Sequence, residues 1–128
     1  MRVTMVGAGY VGLVSGACFA DFGHHVTCID KDAARVAQLK RSEIPIFEPG
    51  LADIVEANLR RGQLEFGVTT SEIGSADAVF IAVGTPSRRG DGHADLTFLY
   101  DAVREIAPQL SRTAVVIIKS TVPVGTCD

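Results

Sequence analysis

The segment Gly7-Ala8-Gly9-Tyr10-Val11-Gly12 places glycines where a backbone would have to wrap a diphosphate. The first allows a tight turn, the second lets the backbone approach a ligand closely, and the third lets a following helix pack near its strand. A helix starting there turns free N–H groups and a positive dipole end toward the phosphates, so the loop needs no lysine. Gly16 extends the small face by one helical turn. Glycine turns between strand and helix also arise for packing alone, so the surroundings must decide. Asp30 stands at about the 20-residue distance where a carboxylate accepts hydrogen bonds from an adenosine ribose and repels a 2′-phosphate. The bland alternative makes Asp30 a turn former ahead of Asp32. Together the glycines and Asp30 predict a dinucleotide site that favours NAD over NADP. Lys31 and Arg35 oppose that preference, since cations there could accept a 2′-phosphate, although they read equally well as a solvated helix face.

Other chemistry-bearing residues follow later apolar runs. Gly84-Thr85-Pro86-Ser87 comes after Ala78–Val83, and Ser120-Thr121-Val122-Pro123-Val124-Gly125 comes after Ala114–Lys119. Both combine small or hydroxyl residues with a proline, which suits a rigid ligand-facing turn and ordinary turn chemistry alike. Arg88, Arg89, Asp91, His93 and Asp95 crowd the next stretch, but Gly90 and Gly92 point to a mobile surface loop. His24-His25 lacks a second ligand cluster, so no metal site is expected. Cys18 faces the core by its helical spacing and Cys28 lies within a strand. Neither has a histidine spaced to activate it.

The elements that must position these residues alternate in the βαβ manner. Arg2–Val6 reads as a strand, and Val11, Val14, Cys18 and Phe22 give the helix after it an apolar face, ended by Gly23. Val26–Ile29 is a second strand. Asp32 caps a helix carrying Val36 and Leu39, and Ser42–Gly50, with Pro45 and Pro49, is a loop. Leu51, Ile54, Val55 and Leu59 restore helical spacing. Leu64–Val68, Ala78–Val83 and Ala114–Lys119 complete five strands, whose continuous apolarity suggests parallel strands covered on both faces. Leu96, Leu99, Val103 and Ile106 form the stripe of a last helix, capped by Asp95 and ended or kinked by Pro108. The predicted fold is α/β, a doubly wound, mostly parallel sheet of the Rossmann type.

Length and composition agree. The chain of 128 residues is one domain's worth, and 47% apolar with 21% charged residues excludes disorder, collagen and coiled coil. A net charge of −3 argues against nucleic acid or an anionic membrane as partner. No apolar run approaches the roughly 20 residues of a membrane span, and Gly7 and Gly9 interrupt any signal-peptide core. Three cysteines without CxxC spacing fit a reduced, cytoplasmic protein.

In sequence order, GAGYVGLVSG at 7–16, Asp30 with Arg35, PIFEPGL at 45–51, VGTPS at 83–87, ADLTFL at 94–99 and KSTVPVGT at 119–126 resemble the NAD-binding half of the UDP-glucose/GDP-mannose dehydrogenase family. The resemblance covers essentially the whole chain and is strongest for members acting on UDP-glucose. It implies that Gly7, Ala8, Gly9, Tyr10, Val11 and Gly12 bind the pyrophosphate of NAD, and that Asp30 and Arg35 contact the adenosine ribose. Val83, Gly84, Thr85 and Pro86 would line the cofactor at the sheet edge. Ser120 and Thr121 would reach the nicotinamide, with Thr121 in a supporting catalytic role on a water.

Family members oxidise the C6 alcohol of a nucleotide sugar to a carboxylate in two steps with two NAD, through a cysteine nucleophile. That cysteine, its lysine and aspartate partners and most sugar-nucleotide contacts belong to regions past position 128. Residues 1–128 are therefore expected to be an incomplete Rossmann domain without the central helix or substrate domain, inactive alone and homo-oligomeric at full length. Cys127 looks like a tolerated replacement for threonine, and Glu48 is left without a role. A GDP-mannose or UDP-N-acetylmannosamine dehydrogenase and a stand-alone NAD-binding module stay open.

Overall fold

The computed structural model describes residues 1–71 and 73–128. In chain order it contains β1 (Arg2–Val6), α1 (Tyr10–Asp21), β2 (His25–Ile29), α2 (Ala33–Lys40), α3 (Leu51–Arg60), β3 (Leu64–Gly67), β4 (Ala78–Ile81), α4 (Thr97–Ile106) and β5 (Val115–Ile118). All four strand pairings are parallel, in the order β3-β2-β1-β4-β5. The chain winds outward from β1 in one direction and resumes at β4 in the other. A crevice therefore opens at the carboxyl ends of β1 and β4, the switch point of a doubly wound sheet.

Strand alternation sends side chains to two cores. Met5, Val26, Cys28 and Leu64 pack under Leu13 and Ala17 of α1, Leu39 of α2 and Val55 of α3. On the other face Val6, Ile29, Val79 and Ile81 meet Leu99, Ala102 and Ile106 of α4. Buried Asn58 ties α3 to α1, donating from Nδ2 to Asp21 Oδ1 at 3.1 Å and to the Ile54 carbonyl at 2.9 Å.

The face of α1 differs from the expected stripe. Gly12, Leu13, Gly16, Ala17 and Ala20 are buried, whereas Val11 is 41% exposed, Phe22 is 77% exposed, and Val14 and Cys18 are only half-buried. Close approach selects small side chains over bulky ones: a Cβ on Gly16 would stand 2.6 Å from Cys28 Sγ. Gly23, at φ 98°, does end the helix, with its N–H on the Ala20 carbonyl and that of His24 on Phe19.

Three further expectations shift. Asp95 acts one residue ahead of the α4 cap position, its Oδ1 accepting from Thr97 N at 3.0 Å and from Thr97 Oγ1 at 2.6 Å. Ala102 replaces Val103 on the buried face, and a 3₁₀ turn at Ala107–Gln109 absorbs Pro108. β5 is not covered on both faces, since Val115 and Val116 lie exposed on an edge strand. β3, β4 and β5 are also shorter than their apolar runs; the Ile81 carbonyl receives both Lys119 N and Ser120 N as the chains part at the crevice.

Gly16→Ala is expected to destabilise the fold by up to about 2 kcal/mol. Overpacking against Cys28 and Met5 costs about 1–3 kcal/mol and outweighs a helix-propensity gain of about 1 kcal/mol. The urea midpoint will show it; an unchanged or higher midpoint contradicts the close packing. Cys28 gives a pH signature, because burial pushes its thiol up to about 12. The unfolded chain ionises this thiol near its ordinary value, so the stability it contributes is complete below about pH 9 and drains as pH climbs toward 12. Between pH 8 and 10, Cys28→Ala should show a flatter loss of stability than the parent, by up to about 1.4 kcal/mol per pH unit. Parallel profiles would exclude the buried thiol as the source.

Candidate functional site

The turn from β1 into α1 is built without side chains. Gly7 adopts φ 105°, and its N–H donates to the Ile29 carbonyl at 2.7 Å. A Cβ on Gly7 would stand 2.5 Å from the Ala82 carbonyl oxygen, and one on Gly12 would run into the carbonyl of Gly7. Gly9 is different: it has φ −74°, which any residue adopts, and no atom lies within 4 Å of where its Cβ would be. Nothing inside the chain requires glycine there, yet Gly9 lines the crevice. That open position suits a group approaching from outside. The first turn of α1 carries neither an acidic residue nor a side-chain cap, which leaves its N–H groups for an outside acceptor.

Asp30 fastens this turn to the end of β2. Its Oδ2 accepts from Ala8 N at 2.9 Å and from Arg35 Nη1 at 3.3 Å, and its Oδ1 accepts from Asp32 N at 2.9 Å. Asp32 then caps α2, accepting from Arg35 N at 3.1 Å. Lys31 Nζ pairs with Glu105 Oε2 of α4 at 3.3 Å. The crevice between these parts has a volume of about 580 Å³. Its apolar wall includes Val6, Ile29, Val83, Phe98, Ala102 and Ile106, and its polar rim includes Asp30, Lys31 and Arg35. An apolar slot flanked by a carboxylate and a helix N-terminus can accept a flat heterocycle, a diol and a diphosphate together. A smaller cavity of about 270 Å³ lies against Arg2, His25 and Gln63 at the opposite, amino-terminal edge of the sheet.

Of the residues singled out in the sequence, the crevice gathers Gly7, Gly9, Asp30, Arg35, Val83 and Gly84 on its wall. Ala8, Tyr10, Val11, Gly12, Thr85, Pro86, Ser120 and Thr121 are not on that wall. The hydroxyls of Tyr10, Thr85 and Ser120 hold loops in place. Thr85 Oγ1 donates to the Thr121 carbonyl at 2.8 Å and Ser120 Oγ to the Val83 carbonyl at 2.7 Å, joining the turns after β4 and β5. Tyr10 OH donates to Glu48 Oε2 at 2.7 Å, giving Glu48 a partner and pinning the α2–α3 loop to the start of α1. That hydrogen bond to a carboxylate raises the Tyr10 phenol above its ordinary value.

The Arg88–Asp95 stretch is a surface loop, exposed from Arg88 to His93 and closed by a small antiparallel turn. Ser87 bridges Ala94, Arg88 N donates to the His93 carbonyl at 2.7 Å and Asp95 N to that of Pro86 at 2.7 Å. His24 and His25 stand at the α1–β2 turn, and among the described residues no group of three His, Cys, Asp or Glu could hold a metal ion. No helix among the described residues is long and apolar enough to cross a membrane. Sequence reasoning missed the α4 contribution of Phe98, Asp101, Ala102 and Glu105, along with Val68 and Thr70. The α4 residues recur at helical spacing, a signal that marks a shared face but does not reveal what the face meets.

Comparison with known proteins agrees with this geometry. Residues 1–128 match the UDP-glucose/GDP-mannose dehydrogenase family, NAD binding domain. The chain is 60% identical to the UDP-glucose 6-dehydrogenase of Rhizobium meliloti over its whole length, covering 30% of that protein. Among solved structures, a UDP-glucose dehydrogenase from Pyrobaculum islandicum superposes with a TM-score of 0.90 at 37% identity, covering 98% of this chain and 30% of that one. A UDP-N-acetyl-mannosamine dehydrogenase from Staphylococcus aureus superposes with a TM-score of 0.93 at 31% identity, covering 100% and 31%. The chain thus spans about 30% of the length of the curated relatives it matches. Matched to the family model from its first residue to its last, the chain belongs to the UDP-glucose/GDP-mannose dehydrogenase family as an NAD-binding domain.

Proposed function

We propose that this chain is the NAD-binding portion of a UDP-glucose 6-dehydrogenase, which oxidises the C6 alcohol of UDP-glucose to the carboxylate of UDP-glucuronate with two NAD. The observation that carries the binding reading is Gly9, a glycine with no internal reason to be one, lining the same crevice as Asp30. On this reading Gly7, Ala8, Gly9, Tyr10, Val11 and Gly12 surround the pyrophosphate, held by the N–H groups at the start of α1. Asp30 receives the adenosine ribose, with Arg35 fixing its carboxylate. Val83 and Gly84 line the path along the sheet edge, supported by Thr85 and Pro86. Ser120 and Thr121 stand toward the nicotinamide end, where Thr121 would help hold a water. Bound there, NAD supplies the hydride acceptor.

The choice of UDP-glucose rests on the 60% identity to the Rhizobium meliloti enzyme, well above the 31% to the UDP-N-acetyl-mannosamine dehydrogenase. The nucleophile that family chemistry requires is assigned outside these residues. Cys28 is buried with a raised thiol, Cys18 is half-buried inside α1, and Cys127 lies in an exposed turn after Thr126. The domain is read as 1–128 of a longer, cytoplasmic, homo-oligomeric enzyme, with this portion inactive alone.

An open reading frame that continues past Asp128 into a second α/β domain supports this reading. The full-length product, offered UDP-glucose, GDP-mannose and UDP-N-acetylmannosamine with NAD, should form NADH fastest with UDP-glucose. Preference for another sugar reassigns the substrate, and turnover by the 128-residue chain refutes its incompleteness. Gly9→Ala should raise the NAD dissociation constant at least about tenfold, by placing a methyl where the pyrophosphate approaches, while stability changes by less than about 0.5 kcal/mol. Unaltered affinity would remove Gly9 from the site. Calorimetric titration of the unaltered chain should also show tighter binding of NAD than of NADP, and equal affinities would overturn the role of Asp30.

A further inference from the structure

Lys31 and Arg35 are the two cations on the crevice wall, both beside the carboxylate assigned to the adenosine ribose. Free, they would supply what a 2′-phosphate needs, because cations next to the ribose can neutralise its extra charge. Neither is free. Arg35 Nη1 lies 3.3 Å from Asp30 Oδ2. Lys31 Nζ lies 3.3 Å from Glu105 Oε2, a pair that links the second residue past β2 to the last turn of α4. Glu105 is anchored in turn. Thr70 Oγ1 donates to its other carboxylate oxygen at 3.4 Å, and Gln109 Nε2 reaches both Thr70 Oγ1 at 2.6 Å and the Glu105 carbonyl at 3.0 Å.

We propose that Glu105 is a cofactor-specificity residue: by holding Lys31 in an ion pair at the crevice rim, it denies that cation to a 2′-phosphate and strengthens selection of NAD over NADP. The inference rests on the NAD reading given above. Both side chains are well exposed, 75% for Lys31 and 41% for Glu105, so the pair adds little to folding stability. Its consequence is the placement of charge. Among the described residues of the wall, Asp30, Asp32, Asp101 and Glu105 face only Lys31 and Arg35, so an incoming dianion meets a net negative rim. Asp30 rejects the 2′-phosphate at contact distance and occupies Arg35, and Glu105 occupies the other cation.

The test is a double-mutant cycle read as the ratio of NADP to NAD affinity, measured by calorimetric titration of the 128-residue chain. Glu105→Gln keeps an acceptor for Thr70 and frees Lys31. It should shift the ratio toward NADP about fivefold at an ionic strength of about 0.01 M, and less at about 0.15 M, where the Debye length contracts from about 30 to about 8 Å. Lys31→Met alone should move the ratio less than about twofold, and in the Glu105→Gln background it should abolish the gain. A gain that persists without Lys31 would mean that Glu105 acts by its charge alone and overturns the paired role. An unchanged ratio in Glu105→Gln, with NAD still bound by the parent, overturns the inference and leaves the NAD reading standing. Failure of the unaltered chain to bind NAD overturns both.

Discussion

The start of α1 lies so near the ends of β1 and β4 that Gly7 and Gly12 have no room for a Cβ, and Gly16 has none against Cys28 and Met5. Much of the molecule follows from this contact. Because the helix sits down on the sheet over small residues, its axis and its free N–H groups are aimed by backbone packing instead of by flexible side chains. Leu13, Ala17 and Ala20 can then seal the first core, and the turn at Gly7–Gly9 forms one wall of the crevice. Any bulk inserted at Gly7 or Gly12 would lift the helix start, and with it the positive end of the dipole.

A second layer of polar contacts converts that packing into a defined site. Asp30 carries three of these contacts: it accepts from Ala8 N, Asp32 N and Arg35 Nη1, so the glycine turn, the end of β2 and α2 are tied together. Tyr10 and Glu48 extend the same connection to the α2–α3 loop. Across the crevice, Thr85 and Ser120 bond the turns after β4 and β5 to one another through backbone carbonyls. Side chains expected to touch a ligand are thus occupied in holding the loops from which a ligand would be touched. Such support is what keeps a binding geometry within a fraction of an ångström.

The fold was largely legible along the chain, since runs such as Ala78–Val83 and the stripe of α3 follow the two periodicities that burial imposes. The errors have common physical causes. On α1 the apolar spacing of Val11, Val14, Cys18 and Phe22 suggested the core face, but interhelical and helix–sheet distances there favour glycine and alanine, which hydrophobic periodicity does not register. On α4, Val103 and Ala102 are neighbours, and only the way the helix settles on the sheet decides which one is covered. The apolarity of β5 matches that of the central strands although Val115 and Val116 lie at an edge.

What the sequence by itself determined was the order of elements, the glycine turn with its acidic partner and the family, because these depend on local backbone needs and on spacing along one chain. What only the tertiary structure decided was which groups meet: Lys31 with Glu105, Tyr10 with Glu48, Ser120 with the carbonyl of Val83. It also showed that Gly9 alone among the three motif glycines has open space before it. Those facts depend on distances between elements far apart in the chain, which are set by how closely α1 and α4 settle on the sheet, and no periodicity along the sequence records that closeness.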